Sequence, residues 1–64
     1  MEHLFYVRFD TDYIATRRLV RAPDPFIVSG AAVEVDISNE GGWPRWQRCR
    51  VERWVGAQLW VSQI

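Results

Sequence analysis

Hydrophobic and polar positions alternate with a period of two along much of the chain, which is the pattern of β-strands with one buried face. Two segments show it most clearly, 3–9 and 32–38. In the first segment Phe5, Val7 and Phe9 share one face and Leu4, Tyr6 and Arg8 the other, and both faces could be used. In the second segment Val33, Val35 and Ile37 are expected to face inward. We therefore predict a strand in each segment.

Residues 13–22 fit two patterns. A helix capped by Thr11 or Asp12 would line up Ile14, Ala15, Arg18, Leu19 and Ala22 on one face, whereas a strand would place Ile14, Thr16, Val20 and Ala22 together. We favour the strand, because the flanking elements are strands and sequential strands tend to pair. Pro23 and Pro25 end the element in either case.

Turn signals separate the remaining segments. Residues 26–28 resume strand character, and Ser29-Gly30 permits a bulge or a tight bend. Residues 39–42, Asn-Glu-Gly-Gly, are a strong turn signal, after which Trp43-Pro44 is expected to continue extended.

The last part of the chain predicts a hairpin of 45–55 with 58–64, closed by Gly56-Ala57 in a type II′ turn. An uninterrupted register would pair Val55 with Gln58, Arg53 with Trp60, Val51 with Ser62 and Cys49 with Ile64 on one face, and Trp54 with Leu59, Glu52 with Val61 and Arg50 with Gln63 on the other. Both faces are then partly apolar. We expect a second apolar patch that is covered by curling of the sheet or by a partner, formed by Trp54, Leu59 and Val61 with a possible contribution from Trp46.

These elements predict a mostly β fold, a small curled antiparallel sheet or partly open barrel of the SH3-like or OB-like size class. The alternative is an α+β fold with one helix near 12–22 on an antiparallel sheet. No repeat or linker divides the chain, so residues 1–64 are expected to form a single domain.

Composition limits the cellular compartment and the partners that we expect for the protein. Eight basic residues, all arginine, balance eight acidic ones. A single cysteine, Cys49, allows no intramolecular disulfide. Neither a signal-peptide pattern nor an apolar run of membrane-spanning length is present, so we expect a soluble cytoplasmic protein that has no membrane partner.

Candidate chemistry is sparse. The only histidine, His3, lies near the terminus, and Cys49 falls among apolar residues, where a buried core cysteine is expected. Asp10 and Asp12 are too few ligands for calcium, and no zinc spacing occurs. We therefore expect neither an enzyme, a cofactor nor a metal site.

Arginine and tryptophan alternate through 43–54, the most unusual segment of the sequence. Both residues are enriched at protein interfaces, which favours a non-enzymatic interaction module binding a larger protein or assembly. The predicted protein-binding residues are Trp46, Arg48, Arg50, Trp54, Leu59 and Val61. A short chain of this kind is often encoded by a virus or mobile element, as an inhibitor of a host machine or a small virion component, acting in the host cytoplasm.

Two other functions use the same residues. A small nucleic-acid-binding β-barrel could stack bases on tryptophan and meet phosphates with arginine, although the neutral net charge makes this less favoured. A homodimer could form if the terminal hairpin pairs edge to edge with a second copy. A third alternative keeps tryptophan in the core under flat arginine side chains, with Arg53 over Trp60 as the candidate pair.

Overall fold

A computed structural model of the chain describes residues 1–38 and 42–64. In these residues the chain forms five strands that close into a barrel in the order β1-β2-β3-β4-β5. The strands are β1 (Glu2–Phe9), β2 (Thr16–Arg21), β3 (Ala32–Asp36), β4 (Trp46–Val55) and β5 (Gln58–Gln63). The predicted mostly β class is confirmed, and the sheet is closed.

Closure of the barrel depends on the pairing between its first and last strands. Consecutive strands pair antiparallel, whereas β5 pairs parallel with β1 from Tyr6↔Gln58 to Phe9↔Val61. An odd number of strands in an up-and-down order leaves the first and the last pointing the same way. Both sides of β5 are therefore paired, so in the described residues the terminal hairpin offers no free β5 edge to a second copy.

The inside of the barrel is filled by small aliphatic residues from all five strands. Its most buried side chains belong to Val7, Val20, Val35, Cys49, Val51, Leu59 and Val61. Phe9 is buried with them, and Phe5 and Ile37 pack against the cluster. The inward face predicted for 32–38 is therefore confirmed, and in 3–9 the inward face is the one that holds Phe5, Val7 and Phe9. No tryptophan belongs to the core of the described residues.

The alternative helix near 12–22 is wrong, and the favoured strand is confirmed over a shorter range as β2. Its backbone pairs with β1 through six residues, from Thr16↔Val7 to Arg21↔Glu2. Val20 and Ala22 face the core, as the period-two pattern predicts. Pairing with β1 favours the strand, because it buries Val20 and Ala22 in the core, whereas a helix with the same residues would not place both there.

A β-bulge in β4 changes the predicted hairpin register. The pairs Val55↔Gln58, Trp54↔Leu59 and Arg53↔Trp60 are as predicted, but Val51 pairs with Val61 and Cys49 with Gln63. The irregularity lies between Val51 and Arg53, at Glu52. Without the extra residue, the strand side that holds Trp54 would also turn Glu52 and Arg50 inward. The bulge places Val51 and Cys49 in the core instead.

Two turns match their predicted chemistry. Gly56 has φ +58° and no described non-glycine residue has positive φ, which fits a type II′ turn at Gly56-Ala57. Gly30 has φ +87°, so the bend predicted at Ser29-Gly30 is present. The turn predicted at 39–42 lies mostly outside the described residues.

The strand character predicted for 26–28 is wrong. The Phe26 amide donates to Asp24 Oδ1 at 2.9 Å, and Trp54 Nε1 donates to the Ile27 carbonyl at 2.9 Å. Side chains thus satisfy backbone groups that a neighbouring strand would otherwise take. The segment forms a loop at one end of the barrel, with Phe26 exposed and Ile27 packed against the core.

Candidate functional site

The outward side of β4 carries a row of arginine and tryptophan residues. Because Cys49 and Val51 point inward, the alternating residues Trp46, Arg48 and Arg50 point outward. Beyond the bulge, Arg53 joins the same side and pairs with Trp60 of β5, which in turn pairs with Arg8 of β1. We call this surface the Arg/Trp face, consisting of Arg8, Trp46, Arg48, Arg50, Arg53 and Trp60.

Trp60 lies at the centre of a stack that crosses three strands. The Arg8 guanidinium carbon lies 4.1 Å from the indole centroid, and that of Arg53 lies 4.9 Å from it. The indole Nε1 donates to Gln58 Oε1 at 3.0 Å. These contacts fix the position of the indole, since cation–π attraction and a hydrogen bond act on it together. The predicted pair of Arg53 over Trp60 is confirmed.

Trp46 is held in a similar way at the other end of the row. The Arg21 guanidinium carbon lies 4.0 Å from its ring centroid. Arg21 also meets two carboxylates, with Nε 3.6 Å from Glu2 Oε2 and Nη1 3.6 Å from Glu34 Oε1. One guanidinium therefore joins β1, β2, β3 and β4 across the outside of the barrel.

Arg48 and Arg50 differ from the other arginines of this face. Both are exposed, and neither makes an ion pair with any residue in the described ranges. Glu34, opposite Arg48 in the β3–β4 register, pairs with Arg21, and Glu52 accepts a 2.6 Å hydrogen bond from Ser62 Oγ. Two guanidinium groups are thus available to a partner.

The six predicted binding residues do not share one surface. Trp46, Arg48 and Arg50 lie on the Arg/Trp face. Trp54 lies at the end of the barrel, 40% exposed, with its ring edge-on to Phe5 at 5.4 Å between centroids. Leu59 and Val61 are 0% exposed, so predicting them as contact residues was wrong. Closure of the sheet covers Leu59 and Val61, which is one of the two outcomes expected for the second apolar patch.

Sequence reasoning missed two arginines that build this surface, Arg8 and Arg21. Arg8 stacks on Trp60 of the neighbouring strand β5, and Arg21 reaches Trp46 of β4 across β3. The signal for Arg53 was present in the hairpin register, which pairs it with Trp60. Arg8 and Arg21 required knowledge of which strands are neighbours, and the closure between β1 and β5 leaves no local trace in the sequence.

Two other ionisable groups, the Cys49 thiol and the Asp36 carboxylate, take part in packing and hydrogen bonding within the fold. Burial raises the pKa of the Cys49 thiol to about 11, with a further contribution from the Asp10 charge. Backbone amides of Arg45 and Ser38, each 2.9 Å from Oδ1, lower the pKa of Asp36. The described residues contain no group of three metal-ligating side chains and no helix that could cross a membrane.

Comparison with known proteins gives no further guide to the site. No family model, curated protein or solved structure matches the chain.

Proposed function

We propose that this protein is a non-enzymatic protein-interaction module that binds a larger protein or assembly through its Arg/Trp face. The observation that carries the proposal is the pair of exposed guanidinium groups of Arg48 and Arg50, beside indoles already fixed in place. Indoles held in this way lose little conformational entropy on binding, and the two free guanidinium groups can add charge-assisted hydrogen bonds to a partner.

The net charge of β4 indicates what kind of partner surface would bind to it. Strand β4 carries three arginines and one glutamate, so it has a net charge of +2 within a chain of zero net charge. Arg48 and Arg50 lie two residues apart on one side of a strand, a separation of about 6.8 Å. The partner therefore presents carboxylates, which arginine binds through paired hydrogen bonds.

The alternative, single-stranded nucleic acid, requires accessible indole faces on which bases can stack. Guanidinium groups already cover Trp46 and Trp60, and the Trp54 ring contacts Phe5. These contacts favour a protein partner over stacked bases. Trp43, 90% exposed, is the most accessible indole of the chain and lies outside β4.

The biological role that we propose is stoichiometric occupation of a partner's surface in the cytoplasm. A chain of this size acts by covering a site on a larger machine, which makes an inhibitor or a small virion component of viral or mobile-element origin the fitting class. Such a role needs a rigid contact surface and no reactive group, which is the combination that the Arg/Trp face offers.

The test is affinity capture from a lysate of the encoding organism or its host, with wild type compared against Arg48→Glu/Arg50→Glu. Charge reversal at two exposed positions should leave folding intact and abolish capture. Arg17→Glu is the matched control, because Arg17 is an exposed arginine on β2, away from β4. Each variant is checked by circular dichroism and thermal melting.

Treatment of the lysate with nuclease separates the two functions. A discrete protein that survives nuclease, binds wild type and Arg17→Glu, and is lost with the double variant supports the proposal. Capture that disappears with nuclease supports nucleic-acid binding instead. Equal capture by all three chains would show that the Arg/Trp face is not the contact surface.

A further inference from the structure

The seam between β2 and β3 is the shortest in the barrel. Only Val20↔Val35 and Arg21↔Glu34 are register partners there, whereas β1 and β2 share six such pairs. A groove of about 520 Å³ opens beside this seam. Its lining residues are Met1, Arg21, Ala22, Pro23, Ala32, Val33, Glu34 and Arg48.

The direction of the backbone groups explains why the seam opens. Val51 N donates to Ala31 O at 2.9 Å, so Ala31 faces β4, and the alternation of an antiparallel ladder turns Ala32 towards β2. Ala22 N donates to Met1 O at 2.8 Å, so Ala22 faces β1 and Pro23 is turned towards β3.

Proline ends the ladder at this point. Continued past the end of β2, the Arg21↔Glu34 register would make Pro23 and Ala32 the next hydrogen-bonding partners. Proline has no N–H to give to the Ala32 carbonyl, and the Ala32 amide makes no backbone hydrogen bond to the Pro23 carbonyl in the described residues. We infer that both groups of Ala32 are left facing the groove.

The opposite end of the same seam is closed by a side chain. Arg18 Nη1 donates to the Asp36 carbonyl at 3.1 Å, and its guanidinium carbon lies 5.6 Å from the Phe9 ring centroid. No side chain in the described part of the chain makes a comparable bond to Ala32. The groove thus combines an open backbone edge, small apolar walls at Ala22 and Ala32, and the guanidinium of Arg48.

We propose that this groove receives an extended acidic peptide segment of the partner, one residue of which pairs with the Ala32 backbone while a carboxylate binds Arg48. The occupant follows from charge and hydrogen bonding. The Glu34 carboxylate in the groove is paired with Arg21, whereas Arg48 makes no ion pair with any described residue. An extended backbone is the group that supplies both a donor and an acceptor to Ala32. This inference rests on the proposed function and specifies its partner.

The test uses two blocked peptides, Ac-Thr-Val-Glu-Val-NH₂ and its glutamine analogue, titrated into the ¹⁵N-labelled full chain. We expect saturable shifts that are largest at the Ala32 amide and the Arg48 Nε–H. The glutamine peptide should bind about tenfold more weakly, because it loses the charge-assisted bond to arginine.

Two variants separate the groove from the rest of the Arg/Trp face. Arg48→Gln should remove the preference for the glutamate peptide, whereas Arg50→Gln should keep it, because Arg50 does not line the groove. Absence of saturable shifts at Ala32 up to about 10 mM peptide, a range that covers weak millimolar binding, would overturn the proposal. An equal effect of the two variants would also overturn it.

The two experiments distinguish failure of the groove proposal from failure of the proposed protein-binding function. Capture of a protein through Arg48 and Arg50 without peptide binding overturns the groove alone. Peptide binding at Ala32 in a chain that captures no protein supports the groove and contradicts the wider role.

Discussion

Trp60 shows how single residues stabilise each other on the outside of this barrel. Its ring is half-buried although it contributes nothing to the core, since Arg8 and Arg53 stack on it from the strands on either side. The methylene groups of these arginines cover apolar surface while their charged ends stay in water. The stack thus both stabilises the barrel and fixes the shape of its outer surface.

We predict a measurable coupling between Arg8 and Trp60. In a double-mutant cycle with Arg8→Ala and Trp60→Leu, the free energies of unfolding should deviate from additivity by about 0.5–1 kcal/mol, because the stacked pair is lost only once. Urea unfolding of the four chains measures it. Arg17→Ala in place of Arg8→Ala is the control and should be additive, and additivity at Arg8 would contradict the stacking.

A second prediction concerns Asp36, whose carboxylate holds the two ends of the β3–β4 connection. Amide hydrogen bonds from Arg45 and Ser38 lower the pKa of Asp36. The ionised carboxylate therefore stabilises the fold fully above the unfolded pKa of about 3.9, and this stabilisation is lost as the pH falls through the lower folded pKa. Asp36→Asn should therefore flatten the acid limb of stability against pH. NMR titration of the Asp36 carboxyl carbon checks the cause, and an ordinary midpoint would contradict it.

At the scale of elements, the β4–β5 hairpin depends on one backbone conformation. Gly56 has φ +58°, and a Cβ placed there meets no atom within 4 Å. The cost of Gly56→Ala should therefore come from the backbone alone, at about 1–2 kcal/mol in the free energy of unfolding.

Chemical synthesis provides the matched control, because D-alanine at the same position prefers positive φ. D-alanine should equal or exceed the stability of glycine, whereas L-alanine should fall below it. Equal destabilisation by both would show that the turn does not need this conformation.

The bulge at Glu52 is the feature of this hairpin that the sequence does not predict. Alternation and turn chemistry predict strands, the Gly56 turn and the first three cross-strand pairs correctly. The extra residue could not be found locally, because the uninterrupted register makes both faces partly apolar. Only burial in a closed core brings Cys49 and Val51 to the same side as Leu59 and Val61. The mistaken surface assignment of Leu59 and Val61 follows from that single residue.

The arginines of the surface illustrate the same limit. Trp46, Arg48 and Arg50 were found because alternation along one strand places them together. Arg8 and Arg21 reach the indoles from strands that are distant in sequence, and pairing between strands is set by the whole barrel.

At the scale of the whole molecule, closure controls self-association. Each strand of the described barrel has a register partner on both sides, so edge pairing between copies is limited to a short open stretch such as the one at Ala32. We predict a constant mass of 7.6 kDa from micromolar to submillimolar concentration by sedimentation equilibrium. A dimer that forms in this range would contradict this prediction.

The parallel pairing of β1 with β5 also sets how this chain must fold. Phe9 pairs with Val61, 51 residues lying between them in the sequence, so the barrel can close only after nearly the whole chain has been ordered. Small barrels with such distant contacts fold in milliseconds to seconds, far more slowly than helical proteins of equal length. Until that step the inner sides of β1 and β5 stay open to water, and the newly made chain is at its most vulnerable to aggregation.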